Sequence, residues 1–243
     1  MGDVTLYTEQ AKRFKEKYEP ELYKPYEVIY DESVRGSCEE KRKRFIIRLC
    51  PSLRKESPAA HDANFCHELY HAVQISKGFP VYSTSHNIST HDVDFLSALR
   101  TVLLDMDVND NLSKEKIDCF HFFNERINYM CEQCDKGLAE VQNRYEENMF
   151  ALKLLLFYSH TEHSKSKRIK RDIEQLNPYI SQCVKALEGI VSVYGYNTPE
   201  KAFCSLGHFL THFNLWDSAG ILFNGLVCTS QDVFNQRCIA ICQ

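Results

Sequence analysis

The chain has 243 residues, of which 44% are hydrophobic and 12% aromatic, and its formal net charge is -4. This composition excludes global disorder and predicts one large domain or two small ones. The weakly negative charge does not indicate a polyanion-binding protein, so we expect no nucleic-acid partner. Its eleven cysteines are odd in number and show no disulfide framework, which favours a reducing, cytoplasmic location.

The first part of the chain predicts a helical segment followed by two strands. Residues 8–23 are rich in Lys and Glu and end before Pro25, as a helix or two would. Tyr26–Tyr30 and Arg44–Cys50 are rich in β-branched and aromatic residues, which is typical of strands. The charged residues 37–43 between them predict a hairpin loop, and residues 52–60 predict a polar loop.

The most informative pattern follows at residues 67–71, where His-Glu-Leu-Tyr-His lies in an apolar-periodic stretch that predicts a helix. Residues four apart share one face of a helix, so His67 and His71 can bind a single metal ion. Zinc at such a site lowers the pKa of its bound water towards ~7, and Glu68 can accept the proton. The alternative is that all three polar residues lie on a solvated helix face.

The predicted strands, the HELYHAVQ helix and the Gly-Phe-Pro sequence at 78–80 resemble the zincin metallopeptidases. The resemblance is closest to the small gluzincin-like or ImmA/IrrE-like bacterial domains, covers roughly residues 25–115 and is specific only at the motif. It implies that His67 and His71 bind zinc and that Glu68 is the general base.

The third metal ligand has to come from outside the motif, because Gln74 and Lys77 stand where metzincins carry Gly and His. In gluzincin-like enzymes it comes from a second helix, and residues 91–112 have helical spacing. Asp105 is our first candidate because a metal compensates a carboxylate flanked by apolar residues, and Asp107 is the second. The alternative is a helix end with solvated acids. Weaker options for the ligand are His86, His91 and Asp94.

Two further parts of a peptidase can be sought in the sequence. The strand at 44–50 can align an extended substrate through main-chain hydrogen bonds. A donor must also stabilise the developing oxyanion, and the sequence does not single it out. The candidates by residue type are Tyr82, His91, Tyr158 and His163.

The rest of the chain predicts helices over residues 113–160 and 164–194, another helix from Pro199 to His212, and β-like sequence at 221–223 and 226–228. No apolar stretch is long enough to cross a membrane. The spacing Cys131-x-x-Cys134 and the pair His208 and His212 resemble metal sites, but neither has the further ligands that a site needs, so we interpret both as packing. Cys-His hydrolase chemistry stays open because cysteines are numerous.

The sequence therefore predicts a helix-rich α+β fold. We expect a zincin-like core at residues 1–112, with a small antiparallel or mixed sheet, an active-site helix and a ligand helix. A mainly helical extension at 113–243 either packs with this core as one domain or forms an accessory module.

The functional prediction is a zinc-dependent metallopeptidase acting on a polypeptide substrate. Glu68 is its catalytic residue, and the Zn²⁺ ligands are His67, His71 and Asp105. The alternative is a zincin-like binding or regulatory protein without turnover.

Overall fold

The computed structural model describes residues 4–84, 88–118, 120–160 and 164–242. Within these ranges the chain forms ten α-helices, one short 3-10 helix and two three-stranded sheets, which confirms the predicted helix-rich α+β class. Two compact units are present: residues 1–78 with 108–122, and residues 79–107 with 123–243. The predicted boundary after residue 112 stays a prediction.

The first unit is built on a mixed sheet. Helix α1 (Glu9–Tyr18) and a 3-10 helix (Glu19–Glu21) precede the strands β1 (Tyr26–Tyr30), β2 (Gly36–Glu40) and β3 (Phe45–Leu49). The sheet order is β1-β3-β2, with β1 parallel and β2 antiparallel to β3. The central strand β3 is therefore buried, while β2 forms an edge of the sheet.

Two predicted loops are regular structure instead. The segment 37–43 contributes most of β2, whose charged side chains suit an edge strand because they point to solvent or pair across the sheet, as Glu39 does with Arg48 at 3.2 Å. The segment 52–60 belongs to α2 (Pro51–Glu56) and the start of α3 (Pro58–Ser76). Both prolines open their helices, where the missing N–H costs no hydrogen bond.

Helix α4 (Thr90–Lys114) follows α3 and runs from the second unit into the first. The second unit also has an antiparallel sheet of order β4-β5-β6. Asn224 and Gly225, both at positive φ, form the tight turn between β5 and β6, which confirms the β-like sequence predicted there. The remaining elements are β4 (Val81–Thr84), α5 (Phe120–Asp135), α6 (Arg144–His160), α7 (Ser164–Leu176), α8 (Pro178–Tyr194), α9 (Pro199–His212), β5 (Ala219–Phe223), β6 (Leu226–Cys228) and α10 (Gln231–Cys242).

The helix predicted for residues 164–194 is in fact two helices. Asn177 separates α7 from α8 and accepts a hydrogen bond from the backbone N–H of Ile180, which makes it the N-cap of α8. None of the helices in the described ranges is both long enough and apolar enough to cross a bilayer.

A buried polar network joins α1 to α3. The Asp62 carboxylate, 1% exposed, accepts hydrogen bonds from the backbone N–H groups of Tyr7 and Thr8 at 2.9 and 2.6 Å and from the Thr8 hydroxyl at 2.9 Å. Its other oxygen lies 3.4 Å from Nδ1 of His61, whose Nε2 lies 3.2 Å from the Tyr30 hydroxyl. This network fixes the start of α1 against the helix that carries the His-Glu motif.

Replacing Asp62 should destabilise the protein in a pH-dependent way. Burial opposes ionisation of Asp62, but hydrogen bonds from His61, Thr8 and Tyr7 outweigh it and hold the pKa of Asp62 below its ordinary value. The lowered pKa of Asp62 stabilises the folded state at pH values above the pKa of the unfolded state, ~3.9. This stabilisation is lost as the pH falls through the pKa of the folded state. We expect Asp62→Ala to cost about 3 kcal/mol at pH 7, because two backbone N–H groups, the Thr8 hydroxyl and His61 lose their acceptor.

The measurement is urea unfolding at a series of pH values. Asp62→Asn keeps one acceptor oxygen, so it should lose less stability than Asp62→Ala and should lack the part of the acid dependence that Asp62 contributes. An Asp62→Ala protein as stable as the wild type at pH 7 would show that the network does not hold α1.

Candidate metal centre

The two histidines of the motif are the exposed points of an otherwise buried stretch of helix. From Ala60 to Gln74 every residue of α3 is buried except His67 and His71, which are half-buried. Glu68 between them is only 6% exposed. Because this stretch of helix is buried, the motif does not lie on a solvated helix face. A charged residue buried to the degree of Glu68 needs compensating partners.

The two imidazoles point their Nε2 atoms towards each other. These atoms lie 3.1 Å apart, and the ring planes meet at 81°. Two nitrogen ligands at ~2.05 Å from a tetrahedral zinc ion lie ~3.3 Å apart. The spacing of His67 and His71 is therefore close to what a shared zinc ion requires.

Gln74 determines which nitrogen of His71 carries the proton. Its side-chain oxygen lies 2.9 Å from Nδ1 of His71, one helical turn away, and Gln74 is fully buried. An amide oxygen only accepts, so Nδ1 donates and Nε2 of the neutral ring keeps its lone pair for a metal. In the sequence, Gln74 stands out only as a departure from the metzincin pattern. Its position three residues after His71 is the signal that could have identified this role.

Replacing Gln74 should weaken metal binding. Gln74→Leu keeps the side-chain size but removes the acceptor, so we expect zinc affinity to fall by about 10- to 100-fold. Competition with a chromophoric chelator measures the affinity. Gln74→Glu retains an acceptor and is the matched control, with affinity expected to stay within a few-fold of the wild type. Equal affinity of the Leu variant would show that Gln74 does not orient His71.

Asp105 completes a group of three candidate ligands. One ligand atom from each of His67, His71 and Asp105 lies within 4.8 Å of the others, so the group can hold a metal ion. Asp105 lies in α4 and is 5% exposed. Within this group the Nε2 atoms of the two histidines lie 3.1 Å apart.

The other acids and histidines considered for the third ligand are not in this group. Asp107 is 1% exposed but does not join it, and His91 and Asp94 lie exposed at the start of α4. His86 lies outside the described residues. Two nitrogens and one carboxylate oxygen are a donor set that suits zinc, so the residues present fit that ion.

The side chain of Glu68 fits beside β2 because residue 36 of that strand is a glycine. A Cβ atom at Gly36 of β2 would come within 2.7 Å of Oε1 of Glu68 and within 2.8 Å of the Asn64 amide. The Asn64 nitrogen donates to the carbonyl of Arg35 at 2.6 Å, which holds it beside the strand. The carboxylate therefore fits against bare backbone. No pattern in the sequence indicates this role of Gly36.

The strand predicted to align a substrate is the wrong one. β3, which covers most of residues 44–50, is hydrogen-bonded on both sides, by β1 and by β2, and a central strand has no free edge for a peptide. The edge strand next to Glu68 is β2, most of which was predicted as a loop.

The candidates for the oxyanion donor are distributed along the second unit. The hydroxyls of Tyr82 and Tyr158 are buried without a hydrogen-bond partner among the described residues, and burial raises the pKa of both, so each keeps its proton. His91 packs edge-on against Tyr145. His163 lies outside the described residues.

Thiol chemistry finds no support in the contact between Cys183 and His212. Sγ of Cys183 lies 3.7 Å from Nε2 of His212, but burial raises the pKa of Cys183 to about 12 and lowers that of His212. At neutral pH both groups are uncharged, so this pair does not form the thiolate that a nucleophile requires. His208 stacks on Tyr194 with ring centroids 4.0 Å apart, which agrees with its interpretation as a packing residue.

Comparison with models of known protein families, with curated proteins and with solved structures finds no match to this chain.

Proposed function

We propose that this chain is a zinc-dependent peptidase. The proposal depends on one observation: two imidazole Nε2 atoms lie 3.1 Å apart beside the carboxylate of Asp105, with the buried Glu68 next to His67 in the same helix. His67, His71 and Asp105 would hold the ion, and Glu68 would be the general base.

Bound zinc supplies a Lewis acid that polarises the scissile carbonyl and acidifies water at neutral pH. The residues of the chain do the rest. Glu68 accepts the proton of the attacking water and then delivers it to the nitrogen of the leaving amine. Gly36 and Asn64 limit where the Glu68 carboxylate can lie, because both contact the space that it occupies. Gln74 keeps His71 in the tautomer that binds metal.

The edge strand β2 is our proposal for the substrate-aligning element. One of its sides pairs with β3, and Gly36 brings it against Glu68. A peptide that adds to its other side would be held in extended form by main-chain hydrogen bonds, with a scissile bond passing the Glu68 carboxylate. This arrangement favours extended polypeptide over folded or small substrates.

Metal-dependent cleavage of an unstructured protein tests the proposal. The purified chain is incubated with unfolded casein after chelation, and again after one equivalent of zinc is restored. We expect cleavage only with zinc, and new peptide termini identified by mass spectrometry. Tight zinc binding without any cleavage would contradict the peptidase and favour the binding or regulatory protein instead.

A further inference from the structure

Three helices of the second unit enclose a groove of about 330 Å³. Each helix contributes side chains spaced three and four residues apart, so that one face of each helix lines the groove. The residues from α4 are Ala98, Thr101, Val102 and Asp105; those from α5 are Arg126, Tyr129 and Met130; and those from α6 are Met149, Leu152, Lys153 and Leu156.

The floor of the groove is apolar. Val102, Met130, Leu152 and Leu156 are all buried, at 7% exposure or less, and Met149 adds a second flexible thioether, a side chain that adapts to irregular ligands. All three walls are helices, whose interior N–H and C=O groups are bonded within the helix. The backbone of these walls therefore offers no hydrogen-bond partner to the amide groups of a peptide, which are costly to bury unpaired, whereas a hydrocarbon chain has no such groups.

The rim of the groove carries two cations. Arg126 and Lys153 are both exposed, and Nζ of Lys153 lies 5.1 Å from the centre of the Tyr129 ring. Desolvation and repulsion from Arg126 lower the pKa of Lys153, although Glu140 attracts its ammonium. The lining also holds the Asp105 carboxylate, so its charged side chains are two cations and one anion. The two positive charges repel each other, and an anion placed beside them would relieve that repulsion.

We propose that this groove binds a medium-chain fatty carboxylate, with its alkyl chain along the apolar floor and its carboxylate at Arg126 and Lys153. The volume lies at the lower end for ligand pockets and accommodates on the order of a dozen non-hydrogen atoms. Decanoate, a saturated ten-carbon chain with one carboxylate, is the probe of matching size.

Calorimetric titration with decanoate tests the proposal. The solution contains EDTA, so that carboxylate binding to a metal is not measured, and decanoate stays below its micelle concentration. We expect saturable binding at one site with Kd on the order of 100 µM, and at least about 10-fold weaker binding of decanol, which has the same chain without the charge.

Variants separate the two parts of the site. Arg126→Gln with Lys153→Met should weaken decanoate about 10-fold and leave decanol unchanged. Lys167→Met removes an exposed lysine of α7 outside the groove and should change neither. Ala98→Phe should weaken both ligands by filling the groove. Circular dichroism checks the fold of each variant, and the rim charges are exposed, so their replacement leaves the core intact.

Four results would each overturn the proposal: no saturable binding of decanoate, equal binding of decanol, equal decanoate binding by the rim double variant, or tighter binding of acetyl-Ala-Leu-Leu, a peptide with a free carboxylate. All measurements are made without zinc, so their outcome is independent of whether the chain cleaves peptides.

Discussion

Glu68→Gln will retain zinc and lose peptide hydrolysis. The amide has nearly the same size as the carboxylate, so it fits the space beside Gly36, but it cannot accept a proton from water. General-base catalysis contributes about 10²- to 10⁴-fold, and Glu68 also returns the proton to the leaving amine. We therefore expect kcat/KM to fall by at least about 10³-fold.

Two measurements on one sample decide this prediction. Elemental analysis gives the zinc content, and mass-spectrometric quantification of cleaved casein gives the rate. Glu16→Gln, the same change at an exposed position of α1, is the matched control and should have wild-type activity. Undiminished cleavage by Glu68→Gln would exclude Glu68 as the base. Loss of both cleavage and zinc would mean that the variant disturbs the metal site itself.

Gly36→Ala tests the position of the Glu68 carboxylate without removing it. The new methyl group would meet the ends of two side chains, Glu68 and Asn64, so the carboxylate must move although it is still present. We expect zinc to stay bound and kcat/KM to fall by about 10- to 100-fold, since a misplaced base loses most of its advantage. Wild-type kinetics would show that the position of Glu68 against β2 is unimportant.

The sequence predicts those features that depend on residues near one another in the chain. These are the helical spacing of His67 and His71, the strands β1 and β3, and the helical spacing around Asp105. Asp105 could be chosen because a carboxylate among apolar residues is costly to bury alone. It belongs to the group of three side chains that could hold a metal ion, and its role as a ligand stays a prediction.

What the sequence missed depends on contacts between distant segments. Gly36 matters only because β2 packs against α3, a pairing that no local pattern encodes. Most of β2 was predicted as a loop, because its charged residues suit a loop as well as an edge strand. Only the pairing with β3 distinguishes the strand from the loop. Gln74 is different: it lies within the helix of the motif, and its role could have been inferred from its three-residue distance to His71.

The identity of the third ligand makes the second large prediction. Asp105→Asn should lower zinc affinity by at least about 100-fold, because loss of a direct ligand exceeds the loss caused by removing an orienting partner. An amide has the same shape as the carboxylate but no charge, and zinc prefers the anion. Zinc-induced stabilisation of the fold should disappear with the affinity, since a ligand stabilises by its concentration relative to Kd.

Asp107→Asn is the matched control, because it makes the same change two residues away, on nearly the opposite face of the helix. Asp107 is buried like Asp105 but is not part of the candidate ligand group. Zinc titrations followed by melting temperature should show a wild-type shift for Asp107→Asn and none for Asp105→Asn at the same zinc concentration. The opposite result would make Asp107 the ligand, and equal shifts in both variants would leave the histidine pair as the whole protein contribution to metal binding.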